Sequence, residues 1–223
     1  MTVDTVYNIV KYIVAKNIQQ GYVSPKDFNT MINQAQLMYM DYLLGEFEQY
    51  QYMRPVARVQ FGMNMQVRQS LTPLIQQFVP MTIDATGLSL YPDDYQQIDA
   101  MMTTGDNPIR YCQQHQKAAF IKSRIDPIAS NPIYLIQDTG FQFYPIALGS
   151  AKLSYVKTPP EIVWASNPDA NGRPVYDPTN SVDPIWFDLD IQEVIVRALK
   201  PIGVSLQAPQ VVQYASEIKN VGQ

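Results

Sequence analysis

The apolar positions of this chain change period twice. Val3, Val6, Tyr7, Val10, Ile13 and Val14 recur at helical spacing, which predicts a helix over residues 3–19, with Gly21 as a left-handed cap. Ser24-Pro25-Lys26-Asp27 then reads as the start of a second helix. Ser24 is placed to cap, Pro25 suits the first helical position, and Asp27 faces the positive end of the helix dipole. Phe28, Ile32, Ala35, Met38, Tyr39, Tyr42 and Leu43 carry one apolar face to about residue 49, so the first two elements form a helical hairpin.

Beyond residue 52 the period shortens. Strands are predicted at Val79–Ile83 and Leu88–Tyr91 around the turn Asp84-Ala85-Thr86-Gly87, and at Gln97–Thr103 and Pro108–Cys112 around Thr104-Gly105-Asp106-Asn107. Residues 114–123 read as a short helix with Ala118, Ala119 and Ile121 inward. Ile133–Gln137, Phe141–Pro145 and Ala151–Val156 read as a three-stranded antiparallel meander with a tight first turn. Residues 165–183, dense in Asn, Pro, Asp and Gly, read as a long irregular connection. Helical spacing returns at Ile191, Val194, Ile195, Ala198 and Leu199. Asp183 is the expected N-cap, Pro184 the first residue, Asp188 and Asp190 dipole partners, and Pro201 a kink or stop. A last helix is expected over about residues 209–218. The expected fold is α+β: an N-terminal helical hairpin (1–52), a central antiparallel β region (53–164), an extended loop (165–183), and C-terminal helices (184–223) packing on the N-terminal ones.

Composition sharpens this picture at the surface. Charged residues are 16% of the 223, well below the usual quarter, while 15 Tyr, 10 Met and repeated Gln pairs take their place. Tyr and Met are enriched at protein interfaces, where Lys, Glu and Asp are depleted, so this surface suits coverage by neighbouring chains. The net charge of −4 and the lack of a Lys/Arg stripe argue against a specific nucleic-acid reader. A single Cys112 excludes an internal disulfide and a cysteine zinc cage. No signal-peptide pattern and no apolar run near 18 residues is present, which predicts synthesis and folding in cytoplasm without a membrane span.

Candidate chemistry is sparse. His115 sits among amides without a neighbouring nucleophile and reads as a polar surface residue; Cys112 reads as a small buried hydrophobe. Asp93-Asp94 reads as an exposed turn cap rather than a cation site. Asp188 and Asp190 are explained by the helix dipole better than as a catalytic pair. The glycines form no phosphate-binding or dinucleotide fingerprint. The expectation is no catalytic residue, no metal, no cofactor and no enzymatic activity. Trp164 and Trp186-Phe187 suit cementing helices onto the sheet, with a stacking platform for sugar or single strands as the competing use.

The succession of motifs resembles the head-to-tail adaptor (connector) proteins of short-tailed phages, particularly neck ring proteins of the crAss-like group. It consists of the N-terminal helical hairpin, Gly87-Leu88-Ser89-Leu90-Tyr91-Pro92-Asp93-Asp94-Tyr95, a short helix before the Pro127–Tyr134 stretch, Tyr144-Pro145, Ser154–Pro160, and the helix within Asp183–Gly203. The resemblance spans nearly the whole chain, with residues 165–183 matching least. It implies a virion protein assembled in the host cytoplasm into a homo-oligomeric ring, most simply a dodecamer. Such a ring stacks on the portal protein and on other neck or tail proteins, and surrounds the genome DNA without binding it specifically. Tyr7, Tyr39, Tyr42, Trp164, Tyr176, Trp186 and Phe187 are the candidate subunit or partner interface residues. Residues 165–183 and the C-terminal tail are candidates for docking on partners, ordering only when bound. The alternatives are another tail or baseplate component with a carbohydrate- or protein-binding role and, third, a cell-wall hydrolase.

Overall fold

The computed structural model describes residues 1–17, 22–52, 67–121, 127–205 and 209–221. The proposed Gly21 cap and the expected helix ends at residues 18–19 and 122–123 lie outside them. Helices are α1 (Val3–Asn17), α2 (Pro25–Tyr52), α3 (residues 67–71), α4 (Lys117–Ile121), α5 (Asp188–Ser205) and α6 (Pro209–Val221). Strands are β1 (Ile75–Thr82), β2 (Leu88–Leu90), β3 (Tyr95–Thr103), β4 (Arg110–Tyr111), β5 (Ile133–Ile136), β6 (Gly140–Tyr144), β7 (Ser150–Lys157), β8 (Ser166–Pro168) and β9 (Pro174–Tyr176). The class is α+β, with helices at both ends and strands between. The chain forms two units: a helical unit of Met1–Pro73 with Pro159–Gln223, and a β unit of Leu74–Thr158. The stretch from Pro159 to Trp164, expected in the central region, thus belongs with the helices.

In the helical unit the predicted apolar faces become the core. Val3, Val6, Tyr7, Val10 and Val14 of α1 are buried, as are Phe28, Ile32, Ala35, Tyr39, Met40 and Leu43 of α2. The α2 face is narrower than expected: Met38 and Tyr42 point outward, and Gln36 and Met40 take the inner positions. Helix α5 packs against both α2 and α6, with α1 touching α5 and α6. The Ser24 cap forms as expected, its hydroxyl accepting the Asp27 N–H at 3.1 Å. The Asp183 cap does not. Helix α5 starts five residues later, its first turn closing from the Phe187 carbonyl to the Ile191 N–H. Asp183 instead accepts the Val3 N–H at 2.7 Å, serving the orphan donors of α1. Nor does Pro201 end α5. The turn beyond it persists because Ile202 is buried. Gly203 lets α6 approach so closely that a Cβ there would lie 3.0 Å from Val212.

The β unit has two sheets, ordered β1-β7-β3 and β2-β6-β5-β4. They share one core, Met81, Met101, Ala151, Leu153 and Tyr155 from the first meeting Tyr134, Phe141 and Phe143 from the second. The β5–β6 hairpin forms as predicted, but the third strand of the expected meander leaves the sheet: β7 pairs with β1 and β3. Pro145 has no N–H for a ladder, and the turn Ile146–Leu148 followed by Gly149 at φ +75° redirects the chain. The strand region is antiparallel except for β4, which crosses sheets to run parallel to β5. Strand β1 begins at Ile75, earlier than the polar Gln76-Gln77 suggested, and a bulge between Gln76 and Val79 holds Phe78 at φ +54°. Gly140 is required by contact: a Cβ there would lie 2.1 Å from the Ser89 carbonyl oxygen of the paired strand. In α4 the expected inward Ala118, Ala119 and Ile121 are exposed, since five residues make too short a helix to sustain a buried face.

Residues 165–183 are not irregular. β8 and β9 pair antiparallel, and Val163 bridges Val182. Asp169 accepts the Asn171 and Arg173 N–H groups, each at 2.8 Å, across the hairpin turn. Asp177 accepts from the Thr179 N–H and from the Asn167 and Asn180 side chains. The Asn/Asp/Gly density encodes turn bonds. Near the C-terminus α6 forms with Val211 and Ala215 buried.

Candidate interaction surface

Of the seven candidate interface residues, the fold consumes four. Tyr7 stacks on Trp164 at 4.2 Å between ring centroids and donates its hydroxyl to the Val23 carbonyl. Burial, with Tyr22 nearby, pushes its phenol up to about 12, so it remains a donor at neutral pH. The Trp164 indole N–H donates to Asp4, and its ring also stacks near Tyr176, which is half-buried. Tyr39 packs edge-on against Trp186 and donates to Asp190 at 2.7 Å; burial first, then that bond, raise its phenol. Tyr7, Tyr39, Trp164 and Trp186 are therefore corrected from partner contacts to core. An aromatic residue satisfies the core and interface criteria equally in sequence, and only packing separates them. Trp164 packs between Tyr7 and Tyr176, and Trp186 packs on Tyr39, all within the helical unit, and neither buried ring offers a stacking platform.

The segment that carries Trp164 is held by an amide ladder that the sequence did not reveal. Asn29 and Asn33 of α2 each form a two-way pair with an extended backbone. Asn29 donates to the Trp164 carbonyl and accepts its N–H at 3.2 and 2.9 Å. Asn33 does the same for Ile162, both bonds at 2.8 Å. Gln36, one turn on, donates to the Pro160 carbonyl and accepts from the Trp186 indole. Positions 29, 33 and 36 share a helix face, and residues 160, 162 and 164 share one side of an extended chain, so the two periods match. Three amides at that spacing were the available signal.

Tyr42 and Phe187 remain exposed, at 41% and 52%. Around Tyr42 lie residues that, Met38 apart, periodicity did not single out. On α2, the outward positions from Thr30 to Gly45 are Thr30, Gln34, Leu37, Met38, Asp41, Tyr42 and Gly45, with one formal charge. On α1, the outward positions from Thr5 to Ala15 are Thr5, Asn8, Lys11, Tyr12 and Ala15, again with one charge, of opposite sign. A solvent-facing helix side ordinarily carries several charged residues. Their signal in sequence is an apolar or aromatic residue off the predicted buried stripe, as Tyr12 and Leu37 are.

Chemistry-bearing groups have structural occupations. Cys112 is buried, its thiol raised by burial and donating to the Gln113 carbonyl. His115 is exposed in the turn before α4. Asp94 accepts from the Tyr155 hydroxyl at 2.8 Å, while Asp93 is exposed in its turn. Asp188 pairs with the Met1 ammonium and Asp190 with Tyr39. Among the described residues, no three His, Cys, Asp or Glu side chains gather where they could hold a metal, and no helix is long and apolar enough to cross a membrane. A scan against protein-family models and a search of curated proteins gave no match.

Proposed function

We propose that this chain is a virion structural protein, a head–tail connector whose copies close into a ring beneath the portal and around the genome channel. The observation that carries the reading is the pair of charge-poor outer faces on α1 and α2, where Tyr12, Leu37, Met38 and Tyr42 stand in solvent. Apolar side chains grouped on a helix exterior are costly to leave wet and are satisfied by a partner. The order of elements, two N-terminal helices, a two-sheet β unit and terminal helices, is consistent with the resemblance described above. Charge agrees as well: twelve copies at −4 each carry about −48, so DNA sliding through meets a repulsive wall rather than phosphate-gripping cations. A head-to-tail contact between identical subunits closes into a ring when its rotation allows.

The test is to co-express the protein with the portal protein of the same virion, purify, and image by electron microscopy. Annular particles stacked on the portal are expected, most simply with twelve copies of the 25.4 kDa chain. A protein that stays monomeric, both alone and with the portal, defeats the reading.

A further inference from the structure

The two outer faces described above differ in a way that assigns them to each other. We infer that the α2 stripe of one copy, Leu37, Met38, Asp41 and Tyr42, seats against the α1 face of the next copy, where Lys11 meets Asp41 and Tyr12 covers Leu37 and Met38. This rests on the ring reading and names its subunit contact. Three observations support it. Tyr12 is 68% exposed, and Leu37 and Met38 are 46% and 49% exposed, so each face leaves large apolar area in water. Over these positions each helix itself contributes one charge, Lys11 on α1 and Asp41 on α2, and neither makes an ion pair among the described residues, while the Arg197 guanidinium, paired with Glu193, lies 5.2 Å from the Tyr42 ring centroid. The signs decide the symmetry. Pairing the α2 stripe with itself about a twofold axis near Asp41 would set Asp41 beside Asp41, and pairing the α1 face with itself about an axis near Lys11 would set Lys11 beside Lys11. Like charges in a desolvated contact are strongly disfavoured. Pairing α1 with α2 sets opposite signs together. Such a contact uses different patches on the two partners, the heterologous kind that builds rings instead of twofold dimers.

Charge reversal tests this directly. Lys11→Glu and Asp41→Lys are each expected to raise the protein concentration for half-assembly by about tenfold or more, and the double variant Lys11→Glu/Asp41→Lys to restore it. Mass photometry reads the assembly. Circular dichroism of the single variants should match wild type, since both positions are exposed. A second measurement mixes Tyr12→Cys copies with Met38→Cys copies under mild oxidation. Cross-linked pairs are expected only in the mixture, the buried Cys112 staying unreacted. If wild type forms rings that neither reversal weakens, and the mixture yields no cross-link, this contact is wrong while the ring reading survives. If wild type forms no ring with or without the portal, both fail together.

Discussion

The helical unit and the β unit hold themselves together by different means. In the β unit, a cluster of rings joins the two sheets alongside Met81, Met101 and Leu153. Tyr91, Tyr95, Tyr134, Phe141 and Phe143 lie with centroids 4.8–6.5 Å apart between the two sheets. In the helical unit, segments more than a hundred residues apart meet through directed polar bonds. Examples are the Asn29–Asn33–Gln36 ladder to residues 160–164, Asp183 to Val3, and Tyr39 to Asp190. Ring packing is graded: a smaller apolar side chain loses area and leaves a cavity in proportion. Directed bonding is closer to all-or-none, because removing one partner strands a buried donor or acceptor. The β core should therefore tolerate shape-conserving substitution, whereas the helical ladder should not.

The largest expected effect is Phe143→Ala, in the fully buried centre of the β unit. It should cost about 3–5 kcal/mol by denaturant unfolding, with the loss of hydrogen-exchange protection concentrated in residues 74–158. Phe143→Leu should recover most of that loss. Next is Asn33→Leu, which keeps roughly the side-chain size but strands the N–H and carbonyl of buried Ile162. It should cost roughly 2–4 kcal/mol and loosen residues 159–165. If Asn33→Leu were as mild as Phe143→Leu, the contrast between the units would collapse.

The smallest effect is at Asp84, whose carboxylate accepts from the Thr86 hydroxyl and from the Thr86 and Leu88 N–H groups. These bonds, the Thr86 hydroxyl first, hold its pKa below the ordinary 3.8. A depressed folded value means a contribution present above the unfolded value and lost as pH falls through the folded one. Asp84→Asn should therefore lower the melting temperature slightly at pH 6, and the gap from wild type should narrow below about pH 4. A gap that widened in acid would contradict the turn geometry.

Much of the helical framework was legible because burial there follows a single period. The faces of α1 and α5 came out nearly as read, and the Ser24 cap is a local bond between near neighbours. Legibility failed wherever a side chain had two equally good uses. Met38 and Tyr42 suit either face of α2, and Asp183 caps a helix at the other end of the chain rather than the one beside it. The candidate interface suffered the same ambiguity: Trp164 and Trp186 were read as possible contacts, and both are core.

Local chemistry along the chain settles the list of elements and their punctuation. Hydrophobic period, Asx turns and proline positions act over a few residues, and their physics is complete within those residues. The folded arrangement was needed to learn that β7 changes sheets, that β4 runs parallel to β5, that residues 160–164 zip onto α2, and which aromatics reach solvent. Those outcomes depend on which distant segment offers the better partner for a strand edge, an amide or a ring. That is a competition among long-range alternatives, and no local pattern records its winner.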